Sequence, residues 1–463
     1  MKKVTFLILL LSVVSLSGCG SAPVDTPYKV NLEIWGTIDD SDAYSEVINQ
    51  YRTVNANHVG TIMYRKLPAE TYKDDLLRAF AEGKGPDLFF VRNAWLPDFA
   101  SLIVSAPEYQ VTEGGYRSVF TDAVTHDFVA GGKVYGAPLS TDSLALYYNK
   151  DIFNAAGIAN PPATWDEVIR MAQIFNRIDT YGTVTQSGIA IGTSSNINRS
   201  TDILLALALQ LGAGERSGRK PLQDTFDFTG GGAEKALSFY SQFAEVGSAY
   251  YSWNSRLHYS TDAFYEGTLA MMVNYSWKVE ELKRKNAKLN FGVAPLPQFP
   301  GKTPANFSNY WGLVVAKNKT LTLAGGKNPT VPVAQYNDIR THESWQFLHY
   351  LAFPHPGNTL AIRNFLSRTS TTVPLTIDPA KTYLEKTGQP AARRDLIERE
   401  KTTASSLAPF AAGNLIAKSY RSGEPEKVEA VLAQAIDAVN LGKSDPAGAL
   451  QYVNSQIMNI TGK

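Results

Sequence analysis

Polar and apolar positions after Lys29 switch between two periods. Val30, Leu32 and Ile34 alternate with polar residues, which predicts a strand ending at Trp35. Tyr44, Val47, Ile48, Tyr51 and Val54 then recur at helical spacing. Thr61–Leu67 reads as a second strand. Tyr72, Leu76, Leu77 and Phe80 line one face of a second helix, which Gly83 and Gly85 stop. Asp87-Leu88-Phe89-Phe90-Val91 is an apolar run of the kind found in strands buried on both faces. Strand, helix, strand, helix, strand implies right-handed crossovers, a parallel sheet and an α/β fold.

A second series follows. Ser143–Tyr148 predicts a strand. Thr164 and Glu167, just after Pro161-Pro162, have the spacing of a capping box at a helix start. Gly188–Gly192 reads as a short strand, Ile203–Leu211 as an almost wholly apolar helix that Gly212 can cap. Asp262–Leu269 reads as helix and Ala270–Tyr275 as strand. Residues 341–463 read mostly as helix, with turns at Pro354, Pro356, Gly388, Pro390 and Gly423. No repeat or low-complexity tract interrupts the pattern. Two α/β series in 463 residues exceed one typical core and predict two lobes.

The N-terminus has a different pattern. Met1-Lys2-Lys3 is basic, Val4–Leu16 is nearly all apolar, and Ser17-Gly18 precede Cys19, the only cysteine. A basic start, an apolar run too short to span a bilayer comfortably and small residues at its end make a secretory signal. The order Leu16-Ser17-Gly18-Cys19 resembles the lipobox of bacterial lipoproteins, which implies lipid on Cys19 and a cell-membrane, extracytoplasmic location (outer face of the cytoplasmic membrane or periplasm). Residues 1–18 are then the signal peptide. Residues 19–28, small, polar and proline-containing, are the tether. With one cysteine the fold has no internal disulfide.

Losing Lys2 and Lys3 with the signal turns a formal charge of +1 into −1. That balance gives no basic footprint for nucleic acid. Catalytic and cofactor motifs are broken or missing. His342-Glu343-Ser344-Trp345-Gln346 starts like a zinc helix but lacks its second histidine. Gly192-Thr193-Ser194-Ser195-Asn196 lacks the last glycine of a nucleophile elbow. There is no Gly-rich phosphate loop. No cofactor and no metal is expected. What does recur is an aromatic or short polar residue where a strand ends: Trp35, Asp39 and Asp40; Asn93 and Trp95; Asp142; Trp277; Asn309 and Trp311. Open α/β sheets bind ligands at such edges, and flat rings can stack on the C–H faces of sugars. Trp165 and Trp345 lie in helical patterns and read as core, with Trp253 open.

Six segments in order resemble one family, the extracellular solute-binding proteins of ABC importers, in the maltose-binding-like group. They are Gly85-Pro86-Asp87-Leu88; Gly132-Lys133-Val134-Tyr135-Gly136-Ala137-Pro138; Leu146-Tyr147-Tyr148-Asn149-Lys150-Asp151; Pro162-Ala163-Thr164-Trp165-Asp166-Glu167; Asp262–Met272 followed by Trp277; and Phe291–Pro297. The resemblance implies a type II periplasmic-binding-protein fold, with a hinge of crossing strands, a ligand cleft between the lobes, and closure on the ligand. Lobe 1 would take 29–139, lobe 2 140–308, lobe 1 again 309–340, and lobe 2 the helical remainder 341–463. Crossings would fall near Leu139–Thr141, near Asn306–Trp311 and near Arg340. The resemblance places a ligand-binding acid at Asp39, an acid beside the hinge at Asp142 and a stacking ring at Trp277. It also gives a site loop at Pro390-Ala391-Ala392-Arg393-Arg394-Asp395, in which either Arg393 or Arg394 faces the cleft, with Arg394 taken as the ligand residue. The implied partners are a small solute, expected to be a sugar, and ABC permease subunits, with the receptor a monomer. Two rival readings stay open: a carbohydrate hydrolase using Asp39 and Asp142 as a carboxylate pair, and a scaffold lipoprotein without a small ligand.

Overall fold

The computed structural model describes residues 28–217, 222–317 and 333–460. Cys19, the signal segment and nearly all of the tether lie outside the described residues.

The first sheet has five strands in the order Val59–Lys66, Val30–Gly36, Leu88–Arg92, Trp311–Val315, Gly136–Ala137. The first three run parallel. Trp311–Val315 returns from later in the chain and pairs antiparallel on both sides. Leu88, Phe89, Phe90 and Val91 are all buried, as their unbroken apolar run requires. The helix Asp42–Val54 buries Tyr44, Val47, Ile48 and Tyr51, the face read from the sequence.

The second sheet is ordered Phe291–Pro295, Ala145–Asn149, Leu269–Asn274, Val184–Ile189, Arg177–Ile178. It is mixed: Leu269–Asn274 is antiparallel to Ala145–Asn149 and parallel to Val184–Ile189. Thr164 caps Trp165–Phe175 in a complete capping box with Glu167. The strand expected at Gly188–Gly192 runs instead from Val184 to Ile189. Its Gly188 faces the helix so closely that an added Cβ would lie 2.4 Å from the Ala172 Cα. The helix expected over Asp262–Leu269 ends at Tyr265, because Gly267 turns the chain at φ 82 into the next strand.

Two hydrophobic clusters define the lobes, one around each sheet. Residues 341–463, expected in lobe 2, are divided between them. Trp345, Phe347, Leu348, Tyr350, Leu360, Tyr383 and Ile397 pack in the first cluster, and Phe410, Tyr420, Val428, Leu432, Leu450 and Val453 in the second. An amphipathic helix shows that it has a buried face, not which core receives it. The third crossing therefore falls between Ile397 and Phe410. Arg340, expected there, is buried in lobe 1, where it donates to the Ala316 carbonyl and pairs with Asp87. The region is also less helical than expected: Thr359–Arg363 and Ser370–Pro374 form a hairpin.

The other two crossings lie at 139–144 and 307–310, where neighbouring residues belong to different clusters. A backbone bond ties them together, from Asn309 N to the Asp142 carbonyl, and Thr141 N donates to the Pro390 carbonyl in lobe 1. Asn306 adds a side-chain clamp, accepting from Leu144 N and donating to the Leu144 carbonyl.

Candidate functional site

The strand ends at the hinge border one cavity of about 650 Å³, walled by both lobes. Lobe 1 contributes Thr37, Ile38 and Asp39 just past the first strand, Tyr64, Phe90, Trp311 and Tyr383. Lobe 2 contributes Ser276, Trp277, Glu280, Arg284 and Arg199. Gly388, at φ 63, caps the helix Pro379–Thr387 and turns the chain so that Gln389 and Pro390 join the wall.

Asp39 is held from three directions. Its Oδ2 accepts from the hydroxyls of Tyr44 and Tyr383, both at 2.7 Å, and its Oδ1 from Gln389 Nε2 at 2.9 Å. Burial, with this carboxylate close by, pushes both tyrosines well above their usual range. Asp142 is buried in the first crossing. Its Oδ2 accepts from Ser276 N at 2.9 Å and Ser276 Oγ at 2.6 Å, its Oδ1 from Ser143 N at 2.9 Å. Desolvation outweighs these three donors and lifts its pKa to about 7. Trp277 is 41% exposed and stacks on Tyr275 with ring centroids 4.5 Å apart and planes at 22°. Trp311 is set edge-on against Trp95 at 5.1 Å.

Of the residues singled out from the sequence, Asp39, Asp142, Trp277, Asn309 and Trp311 line this cavity. The other five do not. Trp35 is buried in the lobe 1 core, with Nε1 donating to Glu33. Its side chain lies on the sheet face rather than at the edge. Asp40 points to solvent and pairs with Lys66 at 2.9 Å. Asn93 is buried behind the cleft and donates to Asp127. Trp95 packs under Trp311 and donates to Glu426 at 2.9 Å. Arg394 donates to the Phe120 carbonyl and pairs with Asp122, away from the cavity. Its neighbour Arg393 is buried between Asp378 and Asp395. Trp253 is core, its Nε1 donating to Asn196.

The sequence reading missed Tyr64, Phe90, Tyr383, Gln389, Arg199, Glu280 and Arg284. Tyr64 and Phe90 lie inside strands, and Tyr383 inside a helix whose place in lobe 1 was not legible. Arg199 alone carries a backbone mark, a left-handed φ of 65 before the helix Ser200–Gln210. Among the described residues no group of three His, Cys, Asp or Glu could hold a metal, and no helix is long and apolar enough to cross a membrane.

Two lobes, three crossings and a cavity at the hinge define a two-lobed binding-protein architecture. Residues 40–352 match the profile of the bacterial extracellular solute-binding proteins, and the chain belongs to that family. A putative binding protein of Brucella abortus (strain 2308) is 26% identical over 243 residues, 52% of this chain and 56% of that protein. The maltodextrin-binding protein MdxE of Bacillus subtilis (strain 168) is 28% identical over 206 residues, 43% of this chain and 45% of that protein. The chain thus spans about half the length of these curated relatives. The crystal structure of the cyclic alpha-maltosyl-1,6-maltose binding protein from Arthrobacter globiformis aligns with 93% of this chain and 100% of its own, at TM-score 0.71 and 18% identity. The fold is therefore the type II periplasmic-binding-protein fold.

Proposed function

We propose that this chain is the lipid-anchored, extracytoplasmic receptor of an ABC importer. It binds a sugar or oligosaccharide as a monomer and delivers it to the permease subunits without changing it chemically. The observation that carries the reading is the cavity itself. It lies where two of the three crossings run between the lobes, and its walls offer Trp277, Trp311, Tyr64 and Phe90 beside Asp39, Gln389 and Asn309. Rings supply apolar faces, and amides and carboxylates match hydroxyls. Contacts from both lobes favour the closed form, so binding shifts the population toward it. A thermal-shift screen of sugars, then calorimetric titration and small-angle scattering of the best binder, tests this. The expected result is saturable binding with a smaller radius of gyration. Absence of binding across mono- and oligosaccharides would overturn it.

The lipid on Cys19 rests on the Leu-Ser-Gly-Cys order after the apolar run. Cys19→Ala should move the protein from the detergent phase to the aqueous phase; unchanged partitioning would remove the anchor from the reading.

One observation favours a hydrolase. Asp39 and Asp142 share the cavity, and Asp142 is held at about 7, the range of a general acid. Against it, both oxygens of each carboxyl already accept hydrogen bonds inside the protein. Chromatography of incubated oligosaccharides decides: repeated turnover that vanishes in Asp39→Asn would make the protein an enzyme.

A further inference from the structure

Six charged side chains line the cavity: Asp39, Asp142, Glu280, Arg92, Arg199 and Arg284. Four are satisfied within the protein. Asp39 and Asp142 each accept three hydrogen bonds. Glu280 pairs with Lys283 at 2.7 Å. Arg92 reaches across the lobes to Glu426 and Glu429, both at 3.0 Å. Arg199 and Arg284 differ. Neither makes an ion pair or a side-chain hydrogen bond among the described residues, and the Arg199 Nε is a buried donor with no partner.

Both arginines line the cavity together with Trp277. The Arg199 guanidinium carbon lies 5.2 Å from the Trp277 ring and 6.0 Å from the Tyr275 ring, and those rings are 4.5 Å apart. Had Arg199 covered the far face of Trp277, its distance to Tyr275 would approach the sum of the other two. It therefore sits at the rim of the stack, and the far face of Trp277 is left for a ligand. Arg284 comes from the last turn of the helix Lys278–Lys285 that Trp277 opens. Arg199 holds a left-handed backbone that L-residues avoid, and such conformations cluster at ligand clamps.

We propose that the ligand is a sugar bearing a carboxylate or phosphate, its ring on Trp277 and its anionic group between Arg199 and Arg284. The inference rests on the reading of the cleft as a sugar site. Guanidinium groups match both anions through paired N–H donors.

Calorimetric titration of the full chain with matched probes tests it: maltotriose against trigalacturonate, and glucose against glucose 6-phosphate. At least one acidic probe should bind tenfold or more tighter than its neutral partner, and its affinity should fall as NaCl rises. The two pairs distinguish carboxylate from phosphate. Arg284→Gln should weaken the acidic probe about tenfold and the neutral one less than twofold. Arg199→Gln should do the same. Arg284 is exposed, so its variant keeps the test valid if Arg199→Gln folds poorly. Equal or tighter binding of the neutral probes, or equal losses for both kinds in Arg284→Gln, would overturn the proposal and leave the sugar reading standing. Binding of no probe and no other sugar would overturn both.

Discussion

Asp142→Asn removes a carboxyl that burial holds at about 7, against 3.8 for the same group in water. Between those values the folded state keeps the proton and the unfolded state releases it. Stability from this group is fully present below 3.8, declines as pH rises toward about 7, and levels off above. The slope is about 1.4 kcal/mol per pH unit, and the whole change about 4 kcal/mol. The Asn variant has no charge to bury and no such slope. It starts with a penalty, since its amide N–H must face one of the donors on Ser143 or Ser276, at a cost of about 1–3 kcal/mol. The variant should therefore be the less stable protein at pH 4.5 and draw level with, or pass, the native chain by pH 7.5. Urea unfolding of both proteins at half-unit steps measures the difference. Glu400, which burial also raises to about 7 while it accepts from Ala391 N, contributes equally to both curves and cancels. Parallel curves across this range would refute the reasoning.

Other perturbations separate binding from packing. Trp277→Ala should lower sugar affinity about 5- to 150-fold, from about 1–3 kcal/mol of lost stacking and burial, and barely move the melting temperature. Calorimetry that finds affinity unchanged would make the ring mere packing. Gly188→Ala places a Cβ against the Ala172 Cα and carbonyl, backbone that cannot turn aside. It should cost about 1–3 kcal/mol in urea unfolding, and an unchanged midpoint would contradict the helix–sheet contact. Arg393→Met takes a buried guanidinium from Asp378 and from the more exposed Asp395, at 2.8 Å and 2.7 Å, and should cost about 1–3 kcal/mol. Arg394→Met loses a hydrogen bond to the Phe120 carbonyl and a pair to the exposed Asp122 and should cost about 0.5–2 kcal/mol. Neither should change ligand affinity; a tenfold loss in either would place that arginine in the site.

The sequence by itself determined the local order of the fold. Periods of two and 3.6, a capping box at Thr164 and the buried run Leu88–Val91 are properties of neighbouring residues, and they were legible. It also brought Asp39, Asp142 and Trp277 forward, because each follows or precedes a strand at the edge where such sheets open. Trp35, Asn93 and Trp95 occupy similar places in the chain but point into the core or behind the cleft, and only side-chain direction separates them. Arg394 was read from a loop motif, and ion pairing with Asp122 takes it elsewhere. Which lobe the helix Val333–Ala352 joins, and hence that Tyr383 and Gln389 reach Asp39 across 344 and 350 residues, was decided by tertiary packing alone. An apolar helix face satisfies its own burial against either core, so nothing local selects one. The same holds for Arg199 and Arg284: their missing partners exist only as a property of the folded cleft.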